Sequence, residues 1–232
     1  MREGDLGRRV LAEALGTALL LIAIVGSGIS AQRLTDDVGV QLLVNAAVTG
    51  IALAVLISVL GPISGAHFNP VVTGVDRILG GIETIPASAY AVAQVGGAIA
   101  GTIVANVLFS LPGVDASSTV RTGAGLWLGE VVATFGLVMV IFLMVGTRRS
   151  TAIPFTVGGY VAAAIWFTSS RGFANPAVTI GRMFTDSLTG IAPRSVPAFV
   201  LAQALGGALA LATVLVLRPG VRRVAAEVLV DG

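Results

Sequence analysis

Two asparagine–proline pairs hold the most distinctive chemistry of the chain. Asn69-Pro70, within Phe68-Asn69-Pro70-Val71-Val72-Thr73, is answered 106 positions later by Asn175-Pro176, within Phe173-Ala174-Asn175-Pro176-Ala177-Val178-Thr179. Asparagine is a favoured N-cap, and proline suits the first helical turn, where its missing N–H is not needed. Each motif therefore predicts a helix start with a carboxamide beside unpaired backbone N–H groups. Such a start offers donors and a fractional positive charge, which suits neutral polar guests and disfavours cations. Both predicted helices are short, over 69–79 and 175–184. About 10 residues at 1.5 Å each reach only ~15 Å, half of a bilayer core of ~30 Å.

The elements that position these motifs are read from composition. The 232 residues are 55% hydrophobic and 11% charged, with a mean hydropathy of +0.95, which leaves too little polar side chain to cover a water-facing surface. Thirty glycines accompany the apolar residues, and glycine is frequent in membrane helices because it lets backbones approach closely. The composition predicts an all-α, polytopic membrane protein. All 14 basic residues are arginine and nearly cancel 12 acids, so nucleic acid is not an expected partner. Without cysteine, and with His67 as the single histidine, no metal site can be assembled. No nucleophile–base set or phosphate loop is visible, so an enzyme is not expected.

Six apolar stretches are long enough to cross, over 10–30, 40–60, 88–109, 124–146, 153–168 and 197–217. The first follows a charged leader, but it is longer than a signal-peptide core of roughly 7–15 residues and contains Glu13, so it reads as a retained span. Arginine distribution sets the expected orientation. The N-terminus (Arg2, Arg8, Arg9), Arg77, the loop with Arg148 and Arg149, and the C-terminus (Arg218, Arg222, Arg223) outnumber Arg33, Arg121, Arg171, Arg182 and Arg194 on alternate loops. The positive-inside rule then puts both termini in the cytoplasm of a cell inner or plasma membrane.

The two halves match beyond the asparagines. Leu11-Ala12-Glu13-Ala14-Leu15-Gly16-Thr17 resembles Leu128-Gly129-Glu130-Val131-Val132-Ala133-Thr134, and Ala93-Gln94 resembles Ala202-Gln203. Within one domain, 1–232, the expected repeat units are 1–112 and 113–232, each with three spans and one half-span. An odd number of crossings inverts the second unit, so the half-helices enter from opposite faces and meet near the midplane. The loops leading into them are tolerated at that depth only if they line an aqueous cavity or are covered by protein. The expected product is a narrow, neutral, hydrogen-bonding path for small uncharged polar solutes.

At these residues the sequence resembles the aquaporin, or major intrinsic protein, family. The resemblance rests on Ala12-Glu13 with Gly16-Thr17, on Ser64-Gly65-Ala66-His67-Phe68-Asn69-Pro70, on Asn175-Pro176-Ala177 and on six spans in inverted halves. It implies a homotetramer in the lipid bilayer with one pore per subunit and no cofactor. It further implies a pore constriction at Asn69, Pro70, Val71, Asn175, Pro176 and Ala177, with His67 beside it as a hydrogen-bonded loop support. Glu13 and Glu130 become buried acids that hold the pore-lining loops.

The departures from the family pattern bear on selectivity. Where most members place an arginine after the second Asn-Pro-Ala, this chain has Val178. The second-span filter position falls on Thr49, where water-selective members carry an aromatic. The fifth-span position is Ala163 or as late as Ile165, and the loop contributes Gly172 or Phe173. A filter of these residues is wider and less polar than a water filter, so glycerol-like polyols become expected solutes. Gly61-Pro62, Trp166-Phe167-Thr168 and Phe173-Ala174-Asn175 resemble arginine-less bacterial relatives linked to arsenic resistance, the AqpS-like channels. That similarity implies neutral arsenite or methylated arsenicals as further candidates. Arg171, four residues before Asn175, either reaches back into the mouth or lies in headgroups and water. A water-selective channel and an inverted-repeat secondary transporter remain the alternatives, and a non-transporting adhesion role is known among some relatives.

Overall fold

In a computed structural model, residues 3–145, 147 and 150–221 are described. Arg2, Arg148, Arg149, Arg222 and Arg223, which entered the orientation count, lie outside them. The described residues form eight α-helices: α1 (Glu3–Leu34), α2 (Val38–Ser64), α3 (Pro70–Leu79), α4 (Thr84–Leu108), α5 (Ala124–Met144), α6 (Ile153–Phe167), α7 (Pro176–Gly181) and α8 (Val196–Leu217). Single 3₁₀ turns cover Ser150–Ala152, Arg182–Phe184 and Pro193–Ser195.

Five helices, α1, α2, α4, α5 and α8, are long and apolar enough to span a bilayer. The sixth crossing, α6, has 15 residues, or roughly 22 Å of helix. The preceding 3₁₀ turn, Ser150–Ala152, adds ~6 Å at about 2.0 Å per residue. The two together approach the ~30 Å core. α3 and α7 are the half-spans. α7 is six residues long and continues as the 3₁₀ turn Arg182–Phe184, so the second short segment is a composite rather than one helix.

Packing repeats between the halves. α1 packs on α4 and α2, as α5 packs on α8 and α6, and α2 crosses α6 at the join. α3 lies on α4 and α8, and α7 lies on α8 and α4, so each half-helix is gripped by the third span of both halves. Small residues permit the close crossings. A Cβ on Gly97 or Gly101 of α4 would stand 2.2 Å from the Ala14 or Ala18 carbonyl oxygen of α1, and one on Gly50 of α2 would stand 2.6 Å from the Gly158 carbonyl oxygen of α6. Side chains such as Leu11, Ile51, Val59, Val92, Phe155, Leu201 and Val216 are exposed on the outer faces. In water that surface would be an aggregation hazard, whereas in lipid it is solvated.

Candidate channel and its constriction

The two short helices start as their sequences predict. Asn69 and Asn175 are N-caps in extended conformation; Asn69 Oδ1 accepts from Val71 N at 2.9 Å, and Asn175 Oδ1 accepts from Ala177 N at 2.9 Å and Val178 N at 3.3 Å. The amide ends tie the halves together. Asn69 Nδ2 donates to the Ala174 carbonyl and Asn175 Nδ2 to the Phe68 carbonyl, each at 2.7 Å. A carboxamide carries two N–H donors, so each asparagine retains one beyond this cross-link.

The loops before the asparagines share an unusual backbone. Gly65, Ala66 and Phe68 have φ of 85°, 49° and 49°, and Arg171, Gly172 and Ala174, at the same offsets in the second half, have 65°, 51° and 49°. Four of those six carry a Cβ, and left-handed backbone at such residues is strained and persists where surroundings over-determine it. The surroundings here are the two buried acids. Glu13 accepts from Ser64 Oγ (2.7 Å), His67 N (2.9 Å), Phe68 N (2.7 Å) and Gln94 Nε2 (2.7 Å). Glu130 accepts from Phe173 N and Ala174 N, both at 2.9 Å, and from Gln203 Nε2 at 2.6 Å. Gln94 and Gln203 also donate to Thr73 Oγ1 (3.0 Å) and Thr179 Oγ1 (2.8 Å). Both carboxylates are fully buried, and burying an acid is tolerated only with this kind of complete pairing. The glutamines and threonines were visible as repeat markers, not as members of a clamp.

A cavity of about 980 Å³ runs past this centre, from Asp5 and Arg9 at the end holding the start of α1 to Arg171 and Arg182 at the far end. Residues 65–69 and 171–175 all line it. Each half-helix turns one face to it: Asn69, Val72 and Asp76 from α3, and Asn175, Val178 and Arg182 from α7 and its 3₁₀ extension. Pro70, Val71, Pro176 and Ala177 are not on that face. Val71 packs in the cluster of Val72, Val138 and Val214, and Ala177 is fully buried in the main core.

Of the expected filter residues, Thr49, Gly172, Phe173 and Val178 line the cavity. Of the two fifth-span candidates, Ile165 lines the cavity, while Ala163 is exposed and does not. Thr49 Oγ1 is buried without a hydrogen-bond partner, so the ring offers little polarity. Phe173 also packs with Ile191, Val196 and Phe199 behind the lining. His67 is held on both ring nitrogens, by Thr73 Oγ1 at 3.1 Å and Asp76 at 3.6 Å, and meets Tyr90 edge-on. Both contacts tie the loop at His67 to α3.

The arginines of the far end are not surface groups. Arg121 and Arg182 are buried, and Arg171 is half-buried. Arg121 Nε donates to the Gly190 carbonyl at 2.8 Å, and Arg121 and Arg171 both donate to the Leu188 carbonyl at 3.2 Å. Burial first, and the neighbouring Arg171 charge second, push Arg121 down to about 10, which leaves it protonated at neutral pH. Arg171 lines the cavity.

Spanning helices arranged around a lined cavity, with half-helices meeting at a donor-rich centre, define a membrane channel. The chain belongs to the major intrinsic protein family: the sequence model of that family, Major intrinsic protein, matches residues 1–170. It is 51% identical over 212 residues to Aquaglyceroporin AqpS of Rhizobium meliloti (strain 1021), covering 91% of each chain. A Probable aquaporin TIP-type of Medicago truncatula is 34% identical over 188 residues, covering 74% of this chain and 72% of its own length. In fold, the chain matches the X-ray structure of the aquaglyceroporin from Plasmodium falciparum with a TM-score of 0.74, over 93% of this chain and 98% of that one, at 22% identity. Members of the family are passive channels rather than enzymes, and this chain is a channel for small uncharged solutes.

Proposed function

We propose that this channel passes neutral solutes larger than water, namely glycerol-like polyols and neutral arsenite or methylated arsenicals, with water as a further permeant. The observation that carries the reading is Val178, a short apolar side chain on the cavity wall directly after Asn175-Pro176-Ala177. With Thr49, Ile165 and Gly172 it makes a selectivity filter that is wide and poor in hydrogen-bonding groups. Asn69 and Asn175 form the central constriction, where each offers one free amide N–H to a passing hydroxyl. The likeness to a relative named an aquaglyceroporin supports the polyol assignment. The arsenical assignment rests on similarity to arsenic-linked bacterial members, and the exclusion of charge rests on two helix N-termini facing the same point.

The repeat units 1–112 and 113–232 are proposed from the matched clamps of Glu13 and Glu130. Membership of the family supports a homotetramer, and the arginine distribution supports cytoplasmic termini in a cell inner or plasma membrane. The test is stopped-flow light scattering of proteoliposomes challenged with sucrose, glycerol and arsenite gradients. Glycerol and arsenite permeability well above that of empty vesicles, linear in solute concentration, is the expected result. Water permeability alone would point to a water-selective channel, and saturable flux driven by a proton gradient would point to a transporter.

A further inference from the structure

The position seven residues beyond each motif asparagine is charged, and both positions face the cavity. Asp76 follows Asn69 and Arg182 follows Asn175 at this offset, and each touches the residue two before its own asparagine. Asp76 lies 3.6 Å from His67, and the Arg182 guanidinium lies 3.5 Å from the ring centroid of Phe173. Arg182 is 5% exposed, and its Nε donates to the Thr189 carbonyl. No carboxylate lies within ion-pair distance of it among the described residues. The guanidinium therefore borders the lumen without a directly paired carboxylate, held by the aromatic face behind it.

We infer that Arg182 is a second charge filter of this channel, added to the two helix N-termini and displaced one helical turn outward from the wide size filter at Val178. Four residues at 1.5 Å place it ~6 Å beyond Val178 on the same helix face. The inference rests on the proposed solute class and adds what that class requires. A filter widened to admit polyols also admits small organic cations of similar girth, which a wall of Thr49, Ile165 and Val178 does not reject. Arg182 rejects them electrostatically without narrowing the passage at Val178. Arg171 shares the mouth, but it is half-exposed and more strongly screened, so its contribution is smaller.

The test measures methylammonium conductance per channel in planar bilayers for wild type, Arg182→Gln, Arg182→Lys and the double variant Arg182→Gln with Val178→Arg. A unit charge ~6–12 Å from an ion path, at an effective dielectric constant of about 20, changes ion occupancy by roughly one to two decades. Arg182→Gln should therefore raise the conductance at least about tenfold, whereas Arg182→Lys should stay within about threefold of wild type. Returning an arginine at position 178 of the Gln variant should restore exclusion. Conductance of Arg182→Gln at the wild-type level would overturn the inference, as would an equal rise in the Lys variant, because the side chain would then matter only for packing. Should the Gln variant fold poorly, Arg182→Lys still decides, since a roughly tenfold rise with the positive charge retained excludes a charge role. Glycerol swelling is read in parallel: its absence from wild type would sink the solute assignment, while the conductances would still report on Arg182.

Discussion

Replacing Glu13 by glutamine removes one formal charge and changes one acceptor into a donor, which makes it a sharp test of the loop clamp. The carboxylate is fully buried and all four of its partners are donors: Ser64 Oγ and His67 N at Oε1, Phe68 N and Gln94 Nε2 at Oε2. A glutamine has one acceptor oxygen. With its NH₂ at the Oε2 position it meets the Phe68 and Gln94 donors, and flipped it meets those of Ser64 and His67. No orientation satisfies the site. Two lost hydrogen bonds to a charged acceptor are worth ~3–6 kcal/mol, offset in part by relief from burying a charge, so a net loss of about 2–4 kcal/mol is expected. At ~2–4 °C per kcal/mol for a chain of this size, the melting midpoint of the detergent-solubilised channel should fall by roughly 5–15 °C. The left-handed residues Ala66 and Phe68 should relax, the Asn175 amide should lose its Phe68 carbonyl, and glycerol flux should drop. A variant that melts and conducts like wild type would refute the clamp.

The remaining predictions concern the passage and its walls. Val178→Arg should suppress glycerol and arsenite flux at least about tenfold while retaining water flux; unchanged uptake of the larger solutes would show that position 178 does not limit the pore. Asn175→Asp sets a carboxylate oxygen against the Phe68 carbonyl where Nδ2 now donates at 2.7 Å, so the cross-link should be lost and cation conductance should appear. A neutral, unaltered channel would contradict that geometry. Gly50→Ala puts a methyl group 2.6 Å from the Gly158 carbonyl oxygen and should force α2 from α6 at about 1–3 kcal/mol. A melting midpoint equal to that of wild type would mean the crossing is looser than described.

The fold was legible because the membrane removes alternatives. With no water to solvate the backbone, an apolar stretch of spanning length is a helix whatever its local propensities, and α1, α2, α4, α5 and α8 need no periodicity to be found. α6 was harder to bound because it is short and relies on a 3₁₀ turn. The half-helices were legible for a different reason: Asn69-Pro70 and Asn175-Pro176 state a cap and a first turn in the residues themselves. The clamp was half-legible. Glu13 and Glu130 stand out as acids inside apolar runs, but Gln94 and Gln203 are 81 and 73 positions from their partners, and only a shared tertiary site reveals what they hold.

The filter was the part least fixed by counting along the chain. Counting back from Asn175 leaves the fifth-span position between Ala163 and Ile165, and of these only Ile165 lines the cavity. The orientation count places Arg182 with the loop arginines although the predicted short helix 175–184 contains it, and the observed α-helix stops at Gly181. Yet the 3₁₀ turn keeps the chain on the same axis for one more turn. The face begun by Asn175 and Val178 is thereby extended to Arg182 just as the face of Asn69 and Val72 is extended to Asp76. A rule stated in helix faces, with the asparagine as origin and steps of three and four residues, finds both charges. A rule stated in loops and spans assigns Arg182 to water.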